Sequence, residues 1–310
     1  MVHVRSNVPE NAIEEVEQRW GNLSKIFSTG RQMDVPVPPK YHPKLDDIPL
    51  LSEDETQLYQ SYIGIIRWAV EIGRIDLCMA TGVMARFSVL PREGHMYTVL
   101  RILAYAKKYI ESKLVFDPLA KDFDDTEWTS RDWSSFYTDV EELLPGNIPE
   151  PRGKPVQINM FCDASHASCL ASRRPTTGIV IFLNGAPVTW YSKRQNTVES
   201  SAFGSEFVVL KIATEMNEGL RYKLRMMGVP IEGPTNCFYD NQSVVGNVSL
   251  PESTLQKKHN SIAYHKVREA VAQNTQRVTH EKVINNLSDA LTKFLGPKKF
   301  RNNIQCILWR

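Results

Sequence analysis

The hydrophobic pattern of the chain changes its period close to Gly153, and this change limits the folds that the sequence can adopt. Before Gly153, apolar residues recur every three or four positions, which is the spacing of amphipathic helices. After it, strand-like runs and long helices follow in the order β-β-β-α-β-α-β-α. This order favours a mixed sheet with flanking helices. We therefore expect an α/β domain over 156–310, built on a five-stranded mixed sheet.

Three segments precede this domain in the predicted organisation. They are an N-terminal helix with a proline-rich linker (1–51), a small helical unit (52–117) and an acidic, aromatic linker (118–155). Apolar stripes predict helices over 11–27, 76–87 and 92–109. The pattern S-x-x-E that starts at Ser52 predicts a capping box, and hence the start of another helix. We expect the linker to dock onto a domain through its aromatic residues, Trp128, Trp133 and Tyr137.

Composition excludes several classes of protein. The five cysteines are scattered, with no zinc-ligand spacing, which favours a reducing compartment. The N-terminus lacks a signal-peptide pattern, and no window approaches the roughly 18 apolar residues that span a bilayer. The net charge of +2 is too small to indicate a nucleic-acid partner. We expect a soluble intracellular protein, in a cytoplasmic particle or the nucleus, with no membrane partner.

Four carboxylates occupy positions that such a sheet would bring together. Asp163 ends the first strand, Asp240 ends the fourth, Glu206 lies inside the first long helix and Asp289 begins the last helix. For an isolated residue the ordinary structural roles are the commoner ones, a helix cap for Asp240 and a solvated position for Glu206. Acids gathered at strand ends repel each other, however, unless divalent cations lie among them.

Six motifs occur in an order that resembles the RNase H domain of copia-type retrotransposon polyproteins. They are FCDASHA, RRPTTGIVIFLNGAPVTWYSKRQNTVESS, GSEFVVL, YDNQSVV, KKHNSIAYHKVREAVA and LSDALTKFL, between about 156 and 296. Upstream, YQSYIGIIRWA, RIDLCMATGVMARF and GHMYTVLRILAYAKKY resemble the segment between polymerase and RNase H in the same polyproteins. The resemblance therefore covers about 57–296.

This resemblance implies an RNase H-like fold. It also implies that the protein cleaves the RNA strand of an RNA–DNA hybrid and uses two Mg²⁺ ions, or Mn²⁺, as cofactor. Motif by motif, the four family acids match Asp163 in CDA, Glu206 in SEF, Asp240 in DN and Asp289 in SDALTK. Gly204 stands where the family commonly has another acid, and Phe294 stands where it often has proline. Neither departure removes a predicted ligand. The polymerase region of a parent polyprotein is a second implied partner.

Basic residues near the motifs are candidates for contacts to the phosphates of the hybrid. They are Lys193, Arg194, Arg221, Lys223, Arg225, Lys257 and Lys258. Each of them, taken singly, is equally well explained as part of a solvated helix face.

Three functions remain open at this point. The first is a metal-dependent ribonuclease, which the four intact acids favour. The second is an inactive retroelement remnant or a non-catalytic nucleic-acid-binding module, and the third is a host nuclease or resolvase of related fold. We expect no polymerase activity, because the chain carries no Y-x-D-D motif.

Overall fold

The computed structural model describes residues 2–5, 8–27, 33–119, 131–138, 140–166, 172–199, 201–255, 260–282 and 285–309. The chain divides into two compact units. The first consists of Met1–Phe116, Tyr191–Lys193 and Asp289–Arg310, and the second of Asp117–Trp190 and Arg194–Ser288. The functional domain boundaries predicted from the sequence stay predictions.

The described residues form nine α-helices, eight strands and four 3-10 turns. The helices are α1 (Glu10–Trp20), α2 (Leu23–Ile26), α3 (Glu53–Glu71), α4 (Cys78–Met84), α5 (Glu93–Lys108), α6 (Ala202–Met226), α7 (Gln242–Ser249), α8 (Ser261–Ala272) and α9 (Pro297–Gln305). The strands are β1 (Val2–Arg5), β2 (Lys113–Phe116), β3 (Ile158–Ser165), β4 (Thr176–Leu183), β5 (Ala186–Arg194), β6 (Thr235–Tyr239), β7 (Gln276–His280) and β8 (Leu308–Trp309). The 3-10 turns are Pro43–Leu45, Ile75–Leu77, Ala85–Phe87 and Leu287–Leu291. None of the described helices is long and apolar enough to cross a membrane.

The first unit is mainly helical and carries a small antiparallel sheet in the order β1-β2-β8. Helix α3 begins at the predicted capping box. The Ser52 hydroxyl accepts a hydrogen bond from the Glu55 backbone N–H at 3.3 Å, and the Glu55 carboxylate accepts one from the Ser52 N–H at 3.0 Å. These two bonds satisfy backbone donors that a helix start leaves open. The capping-box prediction is confirmed.

Two predicted helices of the first unit are interrupted. The helix expected over 11–27 ends at Trp20, because Gly21 adopts φ 84°, and α2 follows after a break. The helix expected over 76–87 is a 3-10 turn, the short helix α4 and a second 3-10 turn. The apolar spacing continues through these breaks, so periodicity alone did not reveal them.

A buried ion pair lies in the connection between α3 and α4 of the first unit. Arg74 donates two parallel hydrogen bonds to the Asp76 carboxylate, from Nε at 2.9 Å and from Nη2 at 3.0 Å. The Tyr105 hydroxyl donates a third bond to Asp76 at 3.0 Å. Both charged side chains are completely buried. Since paired geometry and hydrogen bonds offset the cost of burying charge, Asp76 has a structural role in this unit.

The second unit contains a five-stranded sheet in the order β5-β4-β3-β6-β7. Strands β3 and β4 are antiparallel, whereas β3–β6 and β6–β7 are parallel pairs. The predicted hairpin turn at Asn184 and Gly185 connects β4 to β5, with Asn184 at φ 53°. Every residue of the central strand β3 is buried, and α6 and α8 pack together beside it. The predicted mixed sheet with flanking helices is confirmed.

Within the second unit, the described part of the aromatic linker packs against α8 and α6. The Trp133 ring lies 4.8 Å from the guanidinium carbon of Arg268, and the Tyr137 hydroxyl lies 2.7 Å from Nδ1 of His265. Glu142 pairs with two arginines of α6. The aromatic docking predicted for this linker is therefore seen at Trp133 and Tyr137, while Trp128 lies outside the described residues.

Candidate functional site

Asp163 and Asp240 face each other across two neighbouring parallel strands. The register pairs Phe161 of β3 with Phe238 of β6, and the same offset continued by two residues places Asp163 opposite Asp240. Asp163 is only 1% exposed, and Asp240 directly follows β6 and is half-buried. A carboxylate oxygen of one lies within 4.8 Å of a carboxylate oxygen of the other. The fold therefore brings together two of the predicted acids.

Glu206 is joined to the same strand end through Tyr239. It lies in the second turn of α6 and is only 7% exposed. The Tyr239 hydroxyl donates to Oε2 of Glu206 at 2.5 Å and also lies 3.0 Å from the Glu206 carbonyl oxygen. Because Tyr239 immediately precedes Asp240, this bond fixes Glu206 relative to the end of β6. Glu206 is therefore buried, although a solvated position is the commoner one for an isolated glutamate on a helix.

The shifted pKa values of neighbouring groups report the negative charge of this region. Burial raises the pKa of Tyr239 well above its usual value, and the charges of Glu206 and Asp163 raise it further. Burial likewise raises the pKa of the Cys162 thiol, and Cys237 and the same two acids add to this effect. Tyr239 therefore keeps its proton and remains a hydrogen-bond donor to Glu206.

Asp289 lies in the 3-10 turn Leu287–Leu291 and not at the start of an α-helix, which corrects the prediction of a closing helix there. The chain enters this turn from Asn286. The Asn286 side-chain amide donates to the carbonyl oxygen of Cys162 at 2.9 Å, and its oxygen accepts from the Ser288 hydroxyl at 2.5 Å. Asn286 thus ties the start of the turn to the residue before Asp163.

Two lysines pair with the Asp289 carboxylate, which is completely buried. Lys293, one turn later, donates to Oδ1 at 2.7 Å, and Lys299 in the first turn of α9 contacts Oδ2. Each oxygen of this carboxylate therefore has an ammonium partner.

The basic residues predicted to contact nucleic acid differ in burial and in their ion-pair partners. Lys193 and Lys223 are exposed, and Arg194 is half-buried. Arg221 is buried, and it donates to Glu142 at 2.8 and 2.9 Å and to the Gly233 carbonyl oxygen at 3.1 Å. Arg225 also pairs with Glu142. Lys257 and Lys258 lie outside the described residues, so all seven nucleic-acid contacts stay predictions.

Sequence reasoning missed the residues that orient the acids. Tyr239 and Asn286 were not singled out, although a buried tyrosine at a strand end needs a partner for its hydroxyl. The pairing of Lys299 with Asp289 joins residues ten positions apart. No local pattern predicted that contact.

Comparison with known proteins agrees with the resemblance drawn from the motifs, although no family model matches the chain. The Pol polyprotein of transposon RE1 from Arabidopsis thaliana is 22% identical over 274 residues, which is 88% of this chain and 16% of the polyprotein. That of transposon RE2 from the same plant is 25% identical over 49% of this chain and 10% of the polyprotein. The chain thus spans less than a fifth of the length of these relatives.

Solved RNase H domains are also found among the structural neighbours. The N-terminal RNase H domain of a Mycobacterium tuberculosis protein is 12% identical and covers 48% of this chain and 97% of that domain, with a TM-score of 0.34. Over most of its length, this chain is similar to retrovirus-related Pol polyproteins of copia-type retrotransposons, as its motifs predicted.

Proposed function

We propose that the second unit, together with the turn that carries Asp289, is a ribonuclease H that cleaves the RNA strand of RNA–DNA hybrids. The observation that carries this proposal is the pair Asp163 and Asp240. Their carboxylate oxygens lie within 4.8 Å of each other, with Asp163 two residues before the end of β3 and Asp240 directly after β6, and like charges at this distance repel each other. In open α/β sheets this edge is the usual place for a functional site.

The donor set of the site fits a hard divalent cation. Asp163, Asp240 and Asp289 each offer a carboxylate oxygen, which is the ligand that Mg²⁺ and Mn²⁺ prefer. Glu206 is the fourth acid of the proposed set. When bound, two such cations would activate a water molecule and stabilise the attacking and leaving oxygens of the scissile phosphate. No protein nucleophile is required for this hydrolysis.

The residues around the acids have a positioning task in this proposal. Tyr239 keeps its proton and directs Oε2 of Glu206, which limits the rotation of that side chain. Asn286 holds the start of the turn that carries Asp289. Preorganised ligands bind with less loss of side-chain entropy, so these two residues would favour cation binding without touching the cation.

The substrate contacts are proposed from charge and exposure. Lys193, Arg194 and Lys223 are at least partly accessible and are suited to bind phosphates of the hybrid. Selection of RNA over DNA would come from contacts to 2′-hydroxyl groups. The polymerase region of a longer parent polyprotein would be the second partner, because the relatives are Pol polyproteins of much greater length.

The experiment is cleavage of a labelled RNA–DNA hybrid by the purified chain in Mg²⁺, compared with EDTA, with duplex DNA and with Asp240→Asn. We expect cleavage of the RNA strand that is lost in EDTA and in the variant. Folded protein that leaves the hybrid intact, or a variant with full Mg²⁺-dependent cleavage, would contradict the assignment.

A non-catalytic nucleic-acid-binding module is the second candidate. The observation in its favour is that both oxygens of Asp289 are paired with lysines and that Glu206 already accepts a bond from Tyr239. Such a module would bind the hybrid without turnover. Hybrid binding measured in EDTA and in Mg²⁺, alongside the cleavage assay, separates it from the ribonuclease.

A further inference from the structure

Lys299 contacts Asp289 from an unusual position for a lysine. It is the third residue of α9, where the positive end of the helix dipole disfavours a cation. Its neighbour Lys298 is exposed, but the Lys299 ammonium meets Oδ2 of the buried Asp289. The attraction to Asp289 therefore offsets the unfavourable interaction of the Lys299 charge with the dipole of α9.

The second lysine is held more tightly to the same turn. Lys293 follows Asp289 by four residues, its backbone N–H donates to the Asp289 carbonyl oxygen at 3.1 Å, and its ammonium lies 2.7 Å from Oδ1. Lys299 comes instead from a separate helix. Both side chains are partly exposed, Lys293 to 40% and Lys299 to 32%, but only Lys299 lies in the first turn of a helix, where the dipole opposes its charge.

An ammonium group and a divalent cation compete for the same carboxylate oxygen. A cation ligated by Oδ2 would lie close to the Lys299 ammonium, and the two positive charges would repel each other. A completely buried carboxylate also needs a partner when no cation is bound, because an unpaired buried charge is costly. A lysine that pairs with the carboxylate when no cation is bound, and moves away when a cation binds, avoids both the unpaired buried charge and the repulsion.

We propose that Lys299 is a displaceable counter-ion of Asp289, which pairs with the carboxylate in the cation-free protein and withdraws when a divalent cation binds. This inference rests on the proposed function, since it assumes that Asp289 is a cation ligand. Lys299 is then a residue that sets cation affinity without touching the cation, and its removal strengthens binding.

The test is titration of the full chain with Mn²⁺, with the free ion measured by electron paramagnetic resonance. Wild type is compared with Lys299→Met and with Lys298→Met, which removes the same charge one residue earlier in the same helix. Removal of one nearby, partly exposed charge should tighten Mn²⁺ binding about 3- to 10-fold in Lys299→Met. Lys298→Met should bind as wild type does.

Stability supplies a second readout. In EDTA, Lys299→Met should melt at a lower temperature than Lys298→Met, because Asp289 has lost a partner. Saturating Mn²⁺ should raise its melting temperature more than that of the control, since a ligand that binds the folded state stabilises it. If the methionine variant does not fold in EDTA, Lys299→Gln, which keeps a hydrogen-bond donor without the charge, replaces it in both measurements.

The outcomes separate this inference from the proposed function. Equal Mn²⁺ affinity in Lys299→Met, Lys298→Met and wild type would overturn the counter-ion role and leave the cation site standing. Absence of Mn²⁺ binding in wild type and in every folded variant would overturn both. Tighter binding confined to the Lys299 variants supports both.

Discussion

Two buried acids of this chain, Asp76 in the first unit and Asp163 in the second, have different surroundings. In the first unit, Asp76 receives two bonds from Arg74 and one from Tyr105, so its charge is matched where it is buried. In the second unit, Asp163 faces another carboxylate, that of Asp240. An acid that is matched by an arginine stabilises a fold, whereas acids that face each other store repulsion that a cation can relieve. Burial alone therefore does not identify a functional acid.

The largest expected effect is on activity. Asp163→Asn should lower hybrid cleavage at least ~1,000-fold, because it removes a charged ligand from the proposed cation set. In EDTA the same variant should be as stable as wild type or more stable, since it relieves the repulsion with Asp240. Rates on a labelled hybrid and urea unfolding curves measure the two effects. A variant that is inactive because it is unfolded would break the comparison.

Removal of Asp76, the acid that is paired with an arginine, should instead lower the stability of the protein. Asp76→Ala leaves the Arg74 guanidinium buried without its partner, and we expect a loss of about 3–5 kcal/mol in the free energy of unfolding. The double variant Arg74→Met/Asp76→Leu, which removes both charges, should lose less than the single variant. Urea denaturation of both proteins measures the difference. A double variant that is less stable than Asp76→Ala would contradict the pairing argument.

Tyrosines in the two regions allow a matched test. Tyr105→Phe and Tyr239→Phe each remove a hydroxyl that donates to a buried carboxylate, and each should cost about 1–3 kcal/mol of unfolding free energy in EDTA. In Mg²⁺ the deficit of Tyr239→Phe should grow, because the variant no longer positions Glu206 and therefore gains less stability from cation binding. The deficit of Tyr105→Phe should not change. Unfolding curves in both buffers decide this, and equal deficits in both would count against a cation at Glu206.

The smallest expected effect is at Glu142, an arginine-paired acid that is partly exposed. Burial would raise the pKa of Glu142, but the hydrogen bonds and charges of Arg221 and Arg225 outweigh it and lower the pKa. Because the folded-state pKa is lowered, the pair stabilises the protein above the unfolded value of about 4.3, and this contribution is lost as the pH falls through the folded pKa. We expect Glu142→Gln to lose about 1 kcal/mol at pH 7, allowing for solvent screening. The loss should become smaller as the pH falls below the unfolded value, and unfolding curves at pH 7 and at successively lower pH values measure it.

Local signals in the sequence were sufficient for several elements. The capping box at Ser52 and the turn at Asn184 and Gly185 depend on hydrogen bonds and dihedral angles within a few residues, so the pattern and the structure agree. Local signals failed at Gly21 and in the turn of Asp289. In both places the apolar spacing continues while the backbone changes, and spacing does not report backbone angles.

By itself, the sequence determined the mixed sheet, the resemblance to copia-type polyproteins and the identity of the four candidate acids. The tertiary structure decided which groups meet. Strand order and register placed Asp163 opposite Asp240. The packing of distant segments formed the ion pairs Arg221–Glu142 and Lys299–Asp289. The physical reason is that periodicity and capping are properties of neighbouring residues. Charge pairing between distant residues depends instead on how the whole chain packs, and the pattern of a single sequence does not reveal this packing.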